Sequence, residues 1–414
     1  MHKKNIIVVG AGAAGLMAAI RAKEISPDVI LLEKKPTLGN KLLLSGKGRC
    51  NLTNACALDE FLARFSRNGE FLRDSFKKFF NQELMDFFQS RGLKLKTERQ
   101  LRVFPVTDRS ISILEVLTEE LSKLQVEVFS KTEVLDIILE GGAVKGVKLK
   151  DGSVLLCTQL ILATGGASYS FTGSDGSGIK MAEKLKHKII PLRPGLVPLE
   201  VKQDYPGKLE GLTLKNVRIG FICAKRQVVS EIGELLFTAS GISGPMVLSL
   251  SGTVVDWLRE KMPVYAELDL KPALSIEQLD NRLLREFKLN SKKTIRNTLK
   301  TLLPLRLIDV FISLAHIDSG KICSQITQEE RATFVSLLKG MRLDIKSARP
   351  LEEAIVTRGG VCLKEINPRT MESRLIKGLY FCGEMVDLDA DTGGFNLQAA
   401  FSTGYLAGES AALS

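Results

Sequence analysis

An apolar run closed by three spaced glycines constrains this chain more than any other stretch: Ile6-Ile-Val-Val9, then Gly10-Ala-Gly12-Ala13-Ala14-Gly15. Four consecutive β-branched residues read as a strand buried on both faces, and Leu16 to Ala22 continue with good helix formers. The glycines fall at the junction. Gly10 permits a tight turn, Gly12 admits a pyrophosphate to the backbone, and Gly15 lets helix and strand pack closely, so that helix amides face an anion. A second apolar run, Val29 to Leu32, ends in Glu33, close to the spacing at which an acid takes the hydroxyls of an adenosine ribose. Strand, glycine turn, helix, strand and acid together predict a dinucleotide-binding α/β unit.

Size and composition limit what surrounds it. The chain has 414 residues, 44% hydrophobic and 25% charged, which gives room for two or three domains with real cores. No apolar stretch reaches the length of a membrane span and the first strand starts too early for a signal peptide, so a cytoplasmic location without membrane contact is expected. Seven cysteines without regular spacing or a CxxC pair suit a reducing compartment better than a disulfide framework or a zinc site. With His2, His187 and His316 as the only histidines, neither a His-based triad nor a multi-His metal site is expected, and no metal is expected.

The net charge of +11 is concentrated in two segments. Residues 281–306 hold eight Lys and Arg against Glu286 alone, and residues 64–109 hold eleven against six acids. Such segments are either phosphate-binding faces for nucleic acid or solvated helix surfaces.

Taken in order, the second unusual stretch is Leu38 to Asn54, which contains Ser45-Gly46-Lys-Gly48-Arg49-Cys50-Asn51. Its polar, glycine-rich half cannot supply a core. It would run beside the dinucleotide, with Lys47 and Arg49 meeting phosphate and Asn51 hydrogen-bonding a planar heterocycle. Cys50 reads either as a proton donor or reactive thiol, or as a small packing residue. Residues 58–92 read as helices whose phenylalanines recur at helical intervals, followed by a strand at Leu101 to Pro105 and a helix at Ser110 to Leu124. Short strands at 126–129, 132–139, 143–149 and 153–156 suggest an antiparallel excursion with Gly141-Gly142 and Asp151-Gly152 as turns. The main sheet resumes at Gln159 to Leu162 and stops at Ala163-Thr164-Gly165-Gly166. Pro191, Pro194 and Pro198 mark a boundary, beyond which 212–225 and 227–237 alternate as strands and Ser275 to Met341 is helical and basic. After Ser347 to Pro350, strand-and-turn patterns return at Thr357 to Val361 and Leu379 to Glu384. Gly393-Gly394-Phe395-Asn396-Leu397 then opens a final helix whose amides would face an anionic or electron-rich group.

These motifs, in this order and across nearly the whole chain, resemble the BaiN-like, aminoacetone-oxidase-like family of FAD-dependent oxidoreductases. The resemblance rests on the early glycines with Glu33, Ser45 to Asn54, Ala163 to Gly166, Gly233 to Pro245, Thr357 to Val361, and Gly383-Glu384 through Gln398. It implies an α/β Rossmann-like FAD-binding domain, split in sequence as residues 1–193 and 347–414. An inserted domain of β-barrel type plus helices would occupy 194–346, β-rich over 194–274 and basic and helical over 275–346. The fold is expected to be akin to that of fumarate reductase flavoproteins.

The resemblance also assigns the cofactor-binding positions. Gly10, Gly12 and Gly15 would hold the pyrophosphate and Glu33 the adenosine ribose, with Ala13, Ala14 and Lys34 as further cofactor-binding positions. Lys41, Ser45, Gly46, Arg49, Cys50 and Asn51 would lie along pyrophosphate, ribityl chain and ring, Gly165 and Gly166 would close the adenine side, and Val134, Ala163 and Thr164 are further cofactor-binding positions. Gly383, Glu384 and Asp387 would sit near the ribityl phosphate region, and Gly393, Gly394, Phe395, Asn396 and Leu397 at the pyrimidine edge of the flavin. Two departures stand out: Ala239, where the family commonly has histidine, and Ala390, where glycine is frequent. A flavin exchanges hydride with its substrate, so the protein need only position, polarise and supply a proton, with Cys50 the first candidate donor and NAD(P)H the expected electron source. The family includes enzymes that reduce a steroid acid, oxidise aminoacetone or make dihydrouridine in large-subunit rRNA. The basic segments 64–109 and 281–306 favour an rRNA substrate, since a polyanion benefits from extended Lys/Arg contacts. The alternatives are a small-molecule oxidase or ene-reductase, and a non-catalytic RNA-binding flavoprotein.

Overall fold

The strand Ile6–Val9 is buried along its whole length and sits at the centre of a five-stranded parallel sheet. Across that sheet the strands run Leu379–Phe381, Gln159–Leu162, Ile6–Val9, Val29–Leu32 and Glu127–Phe129 in the computed structural model, which describes residues 5–414. His2 lies outside the described residues. Every strand carries its register directly into the next: Val9 stands opposite both Leu162 and Leu32. The carboxyl ends of the strands therefore align at one edge, where open α/β sheets bind their ligands.

The first helix, Ala13–Ile25, packs against the last, Phe395–Leu413. Small residues make that contact close. A Cβ added at Gly404 or Gly408 would stand 2.2 Å from the Ala14 carbonyl oxygen or 2.4 Å from that of Ala18. The last helix is thus locked onto the first through buried helix surface, which is how a domain split in sequence becomes one core. Phenylalanines 76, 80 and 395 complete this core in edge-on contacts with Phe61.

The chain divides into two units. One comprises the described residues up to Pro194 together with Leu351–Ser414; the other is Gly195–Pro350. In the second, the strands Thr213–Cys223, Gly233–Thr238, Gly241–Ser243, Leu199–Val201, Met341–Ala348 and Val264–Asp269 pair in sequence around a ring. The last returns to the first, and Arg226–Val229 adds an outer edge. This is a closed antiparallel barrel, which leaves few strand edges open. Helices Ile276–Leu289, Leu305–Ala315 and Gln328–Lys339 share its apolar core through Leu283, Phe311 and Phe334.

Three elements differ from the sequence expectation. Residues 127–129 do not join an antiparallel excursion; they pair parallel to Val29–Leu32, because the helix Ser110–Lys123 makes the crossover that a parallel partner requires. Residues 341–348 are a barrel strand, with Met341, Leu343 and Ile345 buried and Arg342 exposed between them, an alternation that the surrounding helical charge pattern obscured. Pro245–Arg259, inside the stretch expected to be β-rich, is a helix with proline in its first turn.

Candidate active site

The glycine turn is built as its spacing predicts. Gly10 has φ +99°, and a Cβ there would stand 2.6 Å from the Ala163 carbonyl oxygen; a Cβ on Gly15 would lie 1.8 Å from the carbonyl oxygen of Gly10. No other residue fits either place. Gly10 N–H donates to Leu32 O at 2.8 Å, which ties the turn to the neighbouring strand. The helix then starts at Ala13 behind Gly12, without a side-chain cap, so its first amides remain for an outside acceptor. Beyond Gly12 no atom lies within 4 Å of where a Cβ would be. An uncapped helix start with room before it fits the pyrophosphate of a dinucleotide.

Glu33 closes the same corner. Its Oε2 accepts from Ala11 N–H and its Oε1 from Lys35 N–H, both at 2.8 Å, so backbone amides fix the carboxylate at the end of its strand. Lys34 turns to Asp175 at 2.7 Å. Ala163 continues the sheet through its bond to Val9 O, Thr164 Oγ1 lies 3.2 Å from Met385 S, and a Cβ on Gly165 would reach Ser174 Oγ.

Four segments meet in one polar network. Lys41 Nζ donates to Glu384 Oε2 at 2.6 Å and to Ser168 Oγ at 2.7 Å. Glu384 Oε1 accepts from Ser168 Oγ and from Thr357 N–H, and Thr357 Oγ1 accepts from the amides of Ala167 and Ser168. Gly166 packs against this set, because a Cβ there would touch both Thr357 and Glu384. Gly383 N–H donates to Thr403 Oγ1 on the last helix. The network thus clamps the loops after three parallel strands to that helix, and its ionised pair is held by hydrogen bonds on both partners.

At the start of the last helix, Asn51 bridges two regions of the chain. With its amide nitrogen toward Val103 O and Thr53 O, its oxygen accepts from Gly394 N–H at 3.1 Å. Gly394 lies against the Thr53 backbone, and Asn54 Nδ2 donates to Gly393 O. The 45–54 loop and the 393–397 turn are therefore one surface.

Several expected residues are placed elsewhere. Arg49 does not lie along a phosphate path; its guanidinium is taken by Glu98 and Asp108 and stacks over Phe104 at 4.2 Å. Cys50 is fully buried and has no surface to share with a ligand. Burial pushes its thiol up to about 12, against a smaller opposing effect of the Ser45 hydroxyl, so it is a packing residue and not the accessible donor expected from its motif. Ser45 Oγ donates to Leu42 O, and Gly46 allows the close approach of Asn51 N. Val134 begins a strand paired to Leu149. Phe395 is core, Asn396 braces the loop through Ala390 N and O, and Leu397 packs at the core margin.

Ser168 and Arg358 were not foreseen. Ser168 follows the Gly165-Gly166 pair, and the only signal for Arg358 was its place inside the Thr357-x-Gly-Gly pattern. Arg358 Nε lies 3.4 Å from Asp389 Oδ2, with both side chains largely buried. Among the described residues there is no cluster of metal-ligating side chains, and no helix is long and apolar enough to cross a membrane.

A parallel dinucleotide sheet interrupted by a barrel, with an uncapped helix start at its glycine turn and a second glycine turn opening the last helix, defines a flavin-dependent oxidoreductase. The chain belongs to the HI0933-like protein Rossmann domain family, which it matches over residues 4–410. It is 32% identical to the 3-dehydro-bile acid delta(4,6)-reductase of Clostridium scindens, with 99% of each chain covered. It is 29% identical to the ribosomal RNA dihydrouridine synthase of Escherichia coli, covering 98% of this chain and 97% of that one. The fold is also that of the 3-ketosteroid-delta4-(5alpha)-dehydrogenase of Rhodococcus jostii, at a TM-score of 0.50 and 15% identity over 99% of this chain and 96% of that one.

Proposed function

We propose that this protein uses FAD and a reduced nicotinamide nucleotide to saturate a carbon–carbon double bond conjugated to a carbonyl, and that its substrate is a uridine of large-subunit rRNA. The two curated relatives share that chemistry by name, since a 4,6-diene beside a 3-oxo group and the C5–C6 bond of uridine are both conjugated to a carbonyl. Bound FAD supplies the hydride exchange. The residues that would hold it are the 10–15 turn and first helix start for the pyrophosphate, Glu33 for the ribose, Lys41 and Glu384 beside them, and the 393–397 turn for the ring. Fixed on strand ends and helix starts, these groups would hold the cofactor with little reorganisation.

The observation that carries the rRNA reading is the uncompensated charge of the helical lobe. Arg285, Lys288, Lys292, Lys293 and Lys300 are exposed and make no ion pair among the described residues. A polyanion would satisfy them, and a small amine or steroid acid has no use for them. The second reading, a small-molecule ene-reductase, is favoured by the 32% identity to the bile acid enzyme. To separate the two, the holoprotein is reduced anaerobically with NADH or NADPH and mixed with rRNA from a strain lacking the gene, or with a 3-oxo-4,6-diene steroid acid. Flavin reoxidation by the rRNA with formation of dihydrouridine is expected. Reoxidation by the steroid alone overturns the rRNA reading, and steady nucleotide oxidation in air without either substrate points to an oxidase.

A further inference from the structure

The Gly195–Pro350 unit holds eight Phe, Tyr and Trp side chains, and its fold uses up every one of them. Seven are buried, and the eighth, Tyr265, lies under the Arg342 guanidinium, 4.1 Å from its ring centre. Phe287, the one such ring inside the basic segment 281–306, is turned inward. It meets Phe334 edge-on at 6.4 Å, and Phe334 in turn stacks parallel to Phe311 at 5.7 Å. The single histidine of the unit, His316, is exposed, but one ring cannot carry a row of bases.

The charge is presented the opposite way. On the helix Ile276–Leu289, Leu279, Leu283 and Phe287 are buried while Arg285 and Lys288, one turn apart, are exposed. Lys292 and Lys293 follow on a turn whose backbone is tied down. Lys293 N–H donates to Asn290 O, Ser324 N–H to Ser291 O, Cys323 N–H to Lys293 O and Ile295 N–H to Lys321 O, at 2.8 to 3.1 Å. Residues 294 and 322 form an antiparallel bridge beside it. The short helix Ile295–Thr298 packs against Ile276–Leu289, and Lys300 stands exposed just beyond, next to the buried Leu299. Five cations without an ion pair among the described residues are thus carried on fixed backbone, with their side chains in water.

RNA can be held in two ways. A single strand is gripped by stacking its bases on exposed rings, which offsets the entropy lost when a flexible chain is ordered. A duplex hides its bases and keeps its phosphates in a rigid array, so it is held by shape, through phosphates and 2′-hydroxyls. The lobe offers the groups for the second and withholds those for the first. We propose that this helical lobe is a docking face for the phosphates of a base-paired RNA helix, bound irrespective of its sequence. The inference rests on the rRNA reading above and narrows its substrate. A uridine must be unstacked for its ring to reach a flavin, so the target lies in unpaired nucleotides flanked by a helix that the lobe grips.

The test is binding of full-length holoprotein to two RNAs of equal length at one salt concentration, a fully paired hairpin with a short loop and a poly(U) strand that cannot pair. Wild type should bind the hairpin roughly tenfold tighter or more, and a second hairpin of unrelated sequence equally well. Log affinity should also fall more steeply with log salt for the hairpins, since each phosphate contact releases more counterion from a duplex than from a single strand. Replacing Arg285, Lys288, Lys292, Lys293 and Lys300 by Gln should bring hairpin and poly(U) to within about twofold of each other. Lys288→Arg, Lys292→Arg, Lys293→Arg and Lys300→Arg together keep the charge and should keep the preference. Poly(U) bound by wild type as tightly as the hairpin overturns the proposal and leaves the rRNA reading standing. A hairpin preference that survives in the Gln variant also overturns it. If wild type binds neither RNA, the proposal and the rRNA reading fall together.

Discussion

The segments 64–109 and 281–306 each hold a large excess of Lys and Arg, eleven against six acids and eight against one, but they use that charge differently. In the first, the bases are largely committed to neighbours. Arg64 pairs with Glu60, Arg73 with Glu70 and Asp59, Lys78 with Glu409, Arg91 with Glu120, and Lys96 with Asp108 and Glu98. In the second, Arg296 pairs with Asp309 and Arg306 donates to Lys208 O, while Arg285, Lys288, Lys292, Lys293 and Lys300 stand exposed without an acid. Formal charge counts residues; a binding face needs charge that the fold has not already neutralised. On that ground the second segment carries the larger share of uncompensated charge, although Lys94, Arg99 and Arg109 of the first are also exposed without an ion pair among the described residues.

The comparison can be broken experimentally. Replacing Arg285, Lys288, Lys292, Lys293 and Lys300 by Gln should flatten the slope of log affinity for rRNA against log salt by roughly 4, with loss of about a hundredfold or more in affinity and no loss of FAD. Filter binding across a salt series measures it, and an unchanged slope would return the lobe to a solvated surface. In the first segment, Arg91→Ala removes a bond to Glu120, a bond to Phe87 O and a stack 3.8 Å above the Phe87 ring. That change should lower stability by about 1–2 kcal/mol in a urea titration and leave the salt slope alone. The smallest effect sharpens the contrast from the other side. Glu98→Gln with Asp108→Asn releases Arg49 and Lys96, and rRNA affinity at low salt should rise about two- to threefold if neutralisation is what keeps that surface silent.

Much of the cofactor corner was legible because its constraints are local. Gly10, Gly15 and Glu33 are dictated by turn, close packing and strand end within thirty residues, and each sits where the spacing predicts. Of the barrel, only the strands within 212–237 were legible as alternation; Leu199–Val201, Gly241–Ser243 and Val264–Asp269 are too short or too isolated to show a period, and at Met341–Ala348 charged residues between the apolar ones looked like a continuing basic helix. What could not be read was partnership across the chain. Arg49 and Asp108 are 59 residues apart, Lys41 and Glu384 are 343 apart, and no local pattern says which charge a fold will pair. The same limit explains Cys50, whose motif marks a loop beside a ligand but whose side chain points into packing, and Asp387, whose cationic neighbours Arg67, Arg193 and Arg358 come from three other segments.

The central claim, that an FAD-dependent reduction acts on rRNA, is tested most directly by mapping dihydrouridine in large-subunit rRNA from a strain lacking this gene. One dihydrouridine should be missing, restored by wild type and not by Gly12→Glu, which places a carboxylate in the open space before the uncapped helix start. An rRNA modification profile identical with and without the gene would contradict the account.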